Sequence, residues 1–150
     1  MISAKIIKNL RLETGAGVID CKHALEEAQG DFQKAKQILE KGAKIVAQKK
    51  SKRQASQGLV ECYCHGNKIG VVLELNCESD FASKTQEFKN LAHEIVLQIT
   101  SMNPRDLDEL LKSNYIRDES QSIQNLLEQT TAKIGENIQI KRFSRLELGE

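Results

Sequence analysis

Leu73-Glu74-Leu75-Asn76-Cys77-Glu78-Ser79-Asp80-Phe81-Ala82-Ser83-Lys84-Thr85-Gln86-Glu87-Phe88 reads as the end of a strand, a junction and the start of a helix. Leu73, Leu75 and Cys77 alternate with Glu74 and Asn76, the period-two pattern of a half-buried strand. Ser83 and Gln86 have the spacing of a capping box, which predicts a helix starting after Ser83. Between them, Ser79-Asp80-Phe81-Ala82 carries one acid and one large aromatic. With Ser83 as N-cap, Ala82 takes the staple position and faces Glu87 rather than an apolar side chain. Phe81 is then left without a local packing partner, and is either tucked beneath the domain or offered to another molecule.

Working outward, the helix that follows, about Lys84 to Ser101, places Phe88, Leu91, Ala92, Ile95 and Ile99 on one face. Asn103-Pro104 has the form of an N-cap and first-turn proline, opening a short helix with Leu107, Leu110 and Leu111. A further helix carries Ile123, Leu126, Leu127, Thr130 and Ile134 and ends at Gly135. Ile138 and Ile140 then alternate as a third strand, Asn137 to Arg142, before a tail with Phe143, Leu146 and Leu148. Upstream, Leu59 to His65 and Ile69 to Cys77 form a hairpin. Gly66-Asn67 as a two-residue turn pairs Cys64 with Ile69, Cys62 with Val71 and Val60 with Leu73. That register sets Cys62 and Cys64 on the same face as Leu75 and Cys77, as small buried apolar residues. The alternative gives Cys62, Cys64 and Cys77, with His65 nearby, a zinc or redox role. Reduced thiols suit an intracellular location.

Residues 58–150 therefore read as an α+β core, an antiparallel three-stranded sheet packed with helices. Residues 1–42 read as three short helices. Ser3 caps the first, with Ile6, Ile7 and Leu10 on its apolar face. Cys21, Ala24, Leu25 and Ala28 line the second, which stops at Gly30. Asp31 caps the third, with Phe32, Ala35, Ile38 and Leu39, before Gly42. This all-α head resembles the ubiquitin-associated type of three-helix bundle. Its loop Thr14-Gly15-Ala16-Gly17 is either a plain interhelix turn or a close-approach backbone. In the adjacent pair Val18-Ile19 only one residue readily faces the core, leaving the other for a partner. Residues 43–57, with Lys44, Lys49, Lys50, Lys52 and Arg53, read as a solvated basic linker or a frayed helix.

The 150 residues hold 22 basic and 21 acidic side chains, so no bulk attraction to nucleic acid is implied. The basic segment has no interleaved aromatics, which argues against a nucleic-acid groove. No apolar run reaches the length of a membrane span, and the N-terminus lacks a signal-peptide core. His23, His65 and His93 fall on different elements, and no phosphate-cradling loop or nucleophile elbow is present. The sequence therefore predicts a binding protein rather than an enzyme, with no cofactor and no metal site of its own.

Glu74 to Phe81 resembles the segment around the Thr-Asp-Phe-Val motif of the elongation factor Ts family, the nucleotide-exchange factors of elongation factor Tu. The resemblance extends to Leu10–Gly17 with Asp20, Cys21 and Lys22, and to Lys133-Ile134-Gly135-Glu136-Asn137-Ile138, in the family's order and across nearly the whole chain. It implies that Ser79, Asp80, Phe81 and Ala82 enter the partner's GTPase domain and dislodge Mg2+. It implies that Leu10, Arg11, Gly15, Gly17, Val18 and Ile19 form an N-terminal contact with a GTPase-domain helix. Mg2+ and GDP would both belong to the partner. A bacterial cytoplasm or a plastid stroma is the implied location. Ser79 and Ala82 depart from the usual Thr and Val. A single core unit stands where long members carry two related ones, so the edge strand, open to pairing, predicts a symmetric homodimer. Phe143, Leu146 and Leu148 are candidates for that contact, or cover their own sheet. The alternative is an adaptor whose helical head binds a peptide or ubiquitin-like partner.

Overall fold

Ser3 opens helix α1 (Ala4–Thr14) by accepting the Ile6 amide with its hydroxyl, and Gly15, at φ 71°, closes it. Helix α2 (Val18–Glu27) follows, and Asp31 caps α3 (Phe32–Lys50) by accepting from the Lys34 amide. This computed structural model describes residues 1–150. The three helices close on Leu10, Cys21, Ala24, Leu25, Ala28 and Ala35, a cluster separate from the larger core beyond. Small side chains at most of these positions let the helix backbones approach closely.

The expected stop at Gly42 is not taken. Helix α3 continues to Lys50, so of the two readings of the basic segment, linker or helix, its first half takes the helix. Once a helix is nucleated, each further residue adds a hydrogen bond for one residue fixed. That outweighs the roughly 1 kcal/mol penalty of an interior glycine. Tertiary contacts complete the extension: α3 packs along α7 (Ile123–Ile134), and Lys50 Nζ donates to Gly135 O at 2.8 Å.

The core is built on β1 (Gln57–His65), β2 (Ile69–Cys77) and β5 (Gln139–Glu147), antiparallel in the order β1-β2-β5. Val71, Leu73, Leu75 and Cys77 of the central strand are buried beneath α5 (Gln86–Met102), in one cluster with Ile123 and Leu127 of α7. From α5, Phe88, Leu91, Ala92, Ile95, Val96 and Ile99 enter the same cluster. Each large side chain buried there contributes roughly 1.5–3 kcal/mol. Helix α6 (Leu107–Lys112) adds Leu110, and a small hairpin of β3 (Asn114–Tyr115) and β4 (Asp118–Ser122) leads into α7. Buried Gln98 anchors that hairpin, donating to Asn114 O at 2.8 Å and accepting from the Ile116 amide at 2.9 Å.

The α+β architecture is as the sequence predicts, but the hairpin register is shifted by one residue. His65 pairs with Ile69, Cys64 with Gly70, Cys62 with Val72 and Glu61 with Leu73. The loop holds three residues rather than two: Gly66 and Asn67 both take positive φ, and the Lys68 amide returns to His65 O at 3.0 Å. With a side-chain period of two, one residue of slip moves a whole strand face to the other side. Cys62 and Cys64 are consequently exposed, while Cys77 is buried on the opposite face. The three thiols do not converge, which removes the zinc or redox grouping. Gly58 is indispensable to this strand pair. Its φ is 147°, and a Cβ there would overlap the Leu75 carbonyl and stand 2.8 Å from Asn76 Cα.

The helix starts also differ. Ser83 is not an N-cap. It ends a one-turn helix, α4 (Asp80–Ser83), whose cap is Ser79, and α5 is capped separately by Thr85, which accepts from the Phe88 amide. Asn103 closes α5 at φ 47° instead of opening α6, whose cap is Asp106. The third strand runs to Glu147, so Phe143 and Leu146 belong to β5 rather than to a tail.

Candidate functional site

Ser79 holds the junction between β2 and α4 by every polar atom it has. Its amide donates to Glu136 Oε1 at 2.8 Å, and its hydroxyl donates to Glu136 Oε2 at 2.6 Å while accepting from the Ala82 amide at 3.2 Å. Its carbonyl accepts from the Cys77 thiol at 3.1 Å. Burial, reinforced by the Glu136 carboxylate, pushes the Cys77 thiol up to about 11. Ala82 is buried in the core cluster. Of the four motif residues, only Asp80 and Phe81 are therefore presented to solvent.

Phe81 is 88% exposed, an orientation that water alone disfavours for an aromatic ring. Asp80 lies one turn before Lys84, whose ammonium reaches Asp80 Oδ2 at 2.7 Å. That hydrogen bond first, and the lysine charge second, hold the Asp80 carboxyl below its ordinary value. Glu78, the nearest acid in sequence, turns away: its Oε1 accepts from the Asn137 amide at 2.8 Å and lies 3.8 Å from the Arg53 guanidinium.

On the head, Leu10 lies wholly inside the bundle core and presents no surface. Arg11 is exposed, and both Val18 and Ile19 are exposed rather than one of the pair, at 50% and 70%. Leu12, 75% exposed, stands on the other side of the Thr14–Gly17 loop. Its signal was present: it lies off the stripe of Ile6, Ile7 and Leu10. Gly15 and Gly17 border a cleft of about 660 Å3 between the head and α7, with Arg11, Glu13, Lys36 and Lys133 among its lining.

Glu136 and Asn137 stand in the sequence only within the Lys133–Ile138 motif. Their role could not be found by spacing, because their partners lie 57 and 59 residues away in the chain.

A helical bundle joined by one continuous helix to an α+β core, with an aromatic and several aliphatic side chains turned outward, defines a two-part α-then-α+β molecule. A family profile described as elongation factor TS matches residues 78–150. The chain is 39% identical to elongation factor Ts of Caldanaerobacter subterraneus subsp. tengcongensis over 196 aligned positions, covering all of this chain and 98% of the relative. It is 39% identical to the chloroplastic elongation factor Ts of Guillardia theta, covering 99% of this chain and 90% of that one. With elongation factor Ts of Clostridium novyi it shares 44% identity over 147 positions, which is 97% of this chain and 48% of the longer relative. The chain belongs to the elongation factor Ts family, and with it to the elongation factors of translation. No helix is long and apolar enough to cross a membrane.

Proposed function

We propose that this chain is a guanine-nucleotide exchange factor that binds elongation factor Tu carrying GDP, displaces its Mg2+ and promotes release of GDP. The observation that carries this reading is the Phe81 ring, almost fully exposed on a junction held from behind by hydrogen bonds. Exchange needs no covalent chemistry from this chain. A protein that prefers the nucleotide-free partner must, by linkage, weaken nucleotide binding by the same factor. Mg2+ and GDP belong to the partner; Asp80 and Phe81 supply a projection incompatible with the occupied magnesium site. Burying the ring contributes roughly 1.5–3 kcal/mol, worth at least about tenfold in affinity. Arg11, Leu12, Val18 and Ile19 supply a second contact from the head. The bacterial and chloroplastic relatives support a bacterial cytoplasm or a plastid stroma as the place of action.

The test is release of labelled GDP from elongation factor Tu. The parent chain accelerates it, and Phe81→Ala reduces the acceleration about tenfold or more with the thermal midpoint unchanged. Equal release by mutant and parent would remove Phe81 from the mechanism. A drop in midpoint of the size seen for core aromatics would show the ring to be structural.

A symmetric pair of chains is part of the same proposal, with its contact moved by the observed register. The outer face of the sheet exposes Val60 at 64%, Val72 at 47% and Leu146 at 78%, alongside Cys62 and Cys64. An uncovered apolar sheet face of this kind favours a second copy, the same patch meeting itself about a two-fold axis. Light scattering at micromolar concentration reads the dimer mass; a monomer with full exchange activity excludes it.

A further inference from the structure

Helix α4 is four residues long. A single turn fixes several backbone dihedrals for almost no hydrogen bonds, so it has little helical stability of its own. Its exposed ring offers no anchorage either. Ala82 and Ser83 seat the far end of the turn in the core, and the direction of its first residues, Asp80 and Phe81, is set at the capped end.

One carboxylate, from the turn between α7 and β5, accepts three hydrogen bonds from the junction. Glu136 Oε1 takes the Glu78 amide at 3.1 Å and the Ser79 amide at 2.8 Å, and Oε2 takes the Ser79 hydroxyl at 2.6 Å. That hydroxyl is the cap of α4, accepting from the Ala82 amide. Glu136 thus orients the capping atom itself. The clasp is closed in the other direction by Glu78, which accepts the Asn137 amide. It is braced from the end of α3 and the turn after it, since Lys50 donates to Gly135 O at 2.8 Å and Asn137 Nδ2 to Arg53 O at 2.7 Å.

We propose that Glu136 is a positioning residue for exchange: it holds the first turn of α4 so that Phe81 is presented in one orientation before the partner arrives. The inference rests on the exchange reading above. Hydrogen bonds to a charged acceptor are the strong ones, and ordering a loop in advance removes that cost from the binding step. Glu136 is only partly buried. Without it, water reaches the two amides and the hydroxyl, so the fold survives while α4 loses its direction.

The test is a double-mutant cycle in GDP release from elongation factor Tu, using the parent, Glu136→Ala, Phe81→Ala and the double variant, with thermal unfolding of each. Glu136→Ala is expected to slow stimulated release about tenfold. In the Phe81→Ala background it is expected to cost nothing further, because the residue acts through the ring. Glu136→Gln retains one oxygen for the amides and is expected to lie between; it replaces the alanine variant in the cycle if that variant does not fold. The chain contains no tryptophan, so Phe81→Trp makes a single reporter whose fluorescence anisotropy is expected to fall when Glu136→Ala is added. Unchanged release with Glu136→Ala, or an equal loss in both backgrounds, would overturn the proposal. If Phe81→Ala alone leaves release unaltered, the exchange reading fails at that residue. The anisotropy then still decides whether Glu136 orients the projection, and an unchanged value overturns it.

Discussion

Phe81 and Cys77 are four residues apart and show opposite fates of apolar side chains at one junction. Phe81 lacks a staple partner if Ser83 is the cap; the structure moves the cap to Ser79 and still leaves the ring in solvent. Cys77 was legible as buried because it continues the alternation of Leu73 and Leu75. Cys62 and Cys64 were placed with it, and the one-residue register shift turns them outward. This gives a chemical prediction. At neutral pH, and diluted below the concentration at which two copies pair, the folded chain should be labelled promptly by a thiol reagent at Cys62 and Cys64. Cys77 is raised to about 11 by burial and by Glu136, and Cys21 is raised chiefly by burial. Thiolate is the reactive form, and a raised pKa withholds it, so both should react only on unfolding or as pH climbs toward the raised value. Mass spectrometry of the labelled peptides checks this; Cys62 and Cys64 as slow to label as Cys77 would contradict the register. The Glu136 clasp was illegible for a different reason. Its bonds join segments remote in sequence, and nothing in local spacing marks which acid accepts from which amide.

Among the elements, periodicity made the helices and long strands visible, and the errors fell at their ends. Ser83, Thr85 and Ser79 all have capping side chains, and only the tertiary course of the chain selects Ser79 and Thr85. Asn103-Pro104 fits a helix start by composition, yet asparagine also tolerates the left-handed conformation that ends α5. Gly42 lacked the left-handed turn that makes Gly15 and Gly135 true stops. Gly58 is the converse case, a glycine passed over in the sequence that the β1–β2 pair requires. Gly58→Ala is expected to destabilise the chain by about 1–3 kcal/mol, lowering the thermal midpoint by several degrees. Gly70→Ala, where no atom lies within reach of an added Cβ, serves as the control and is expected to be neutral. Equal midpoints for the two variants would show that the strand pair relaxes around the methyl group.

At the level of the whole molecule, two apolar clusters share one chain, and the division between head and core is best tested by where it is cut. Residues 43–150 keep the end of α3 with the bond that Lys50 donates to Gly135, and the turn after it, whose Ser51 and Arg53 carbonyls accept from the Asn137 and Gln139 side chains. Residues 56–150 lose them. Both fragments are expected to fold on the larger cluster, the longer one with the higher thermal midpoint, and both to bind elongation factor Tu more weakly than the full chain. Full binding by residues 56–150 would make the head dispensable.

The unbroken course of α3 from Phe32 to Lys50 makes the molecule a caliper. At about 1.5 Å per residue its 19 residues form a bar of roughly 28 Å, with one jaw at the head and the other braced against the clasp behind Phe81. Such a bar tolerates changes of side chain along its exposed side but not changes of count. One alanine inserted near Gly42 lengthens it by about 1.5 Å and swivels the head by about 100°, while leaving both apolar clusters whole. The expected result is a folded protein, unaltered in far-ultraviolet circular dichroism, whose jaws no longer close on the same partner. A second insertion series, bringing the total to about seven residues or two full turns, should recover the angle while keeping the added length. Affinity measured across the series would then oscillate with the helical repeat rather than decline steadily with each added residue.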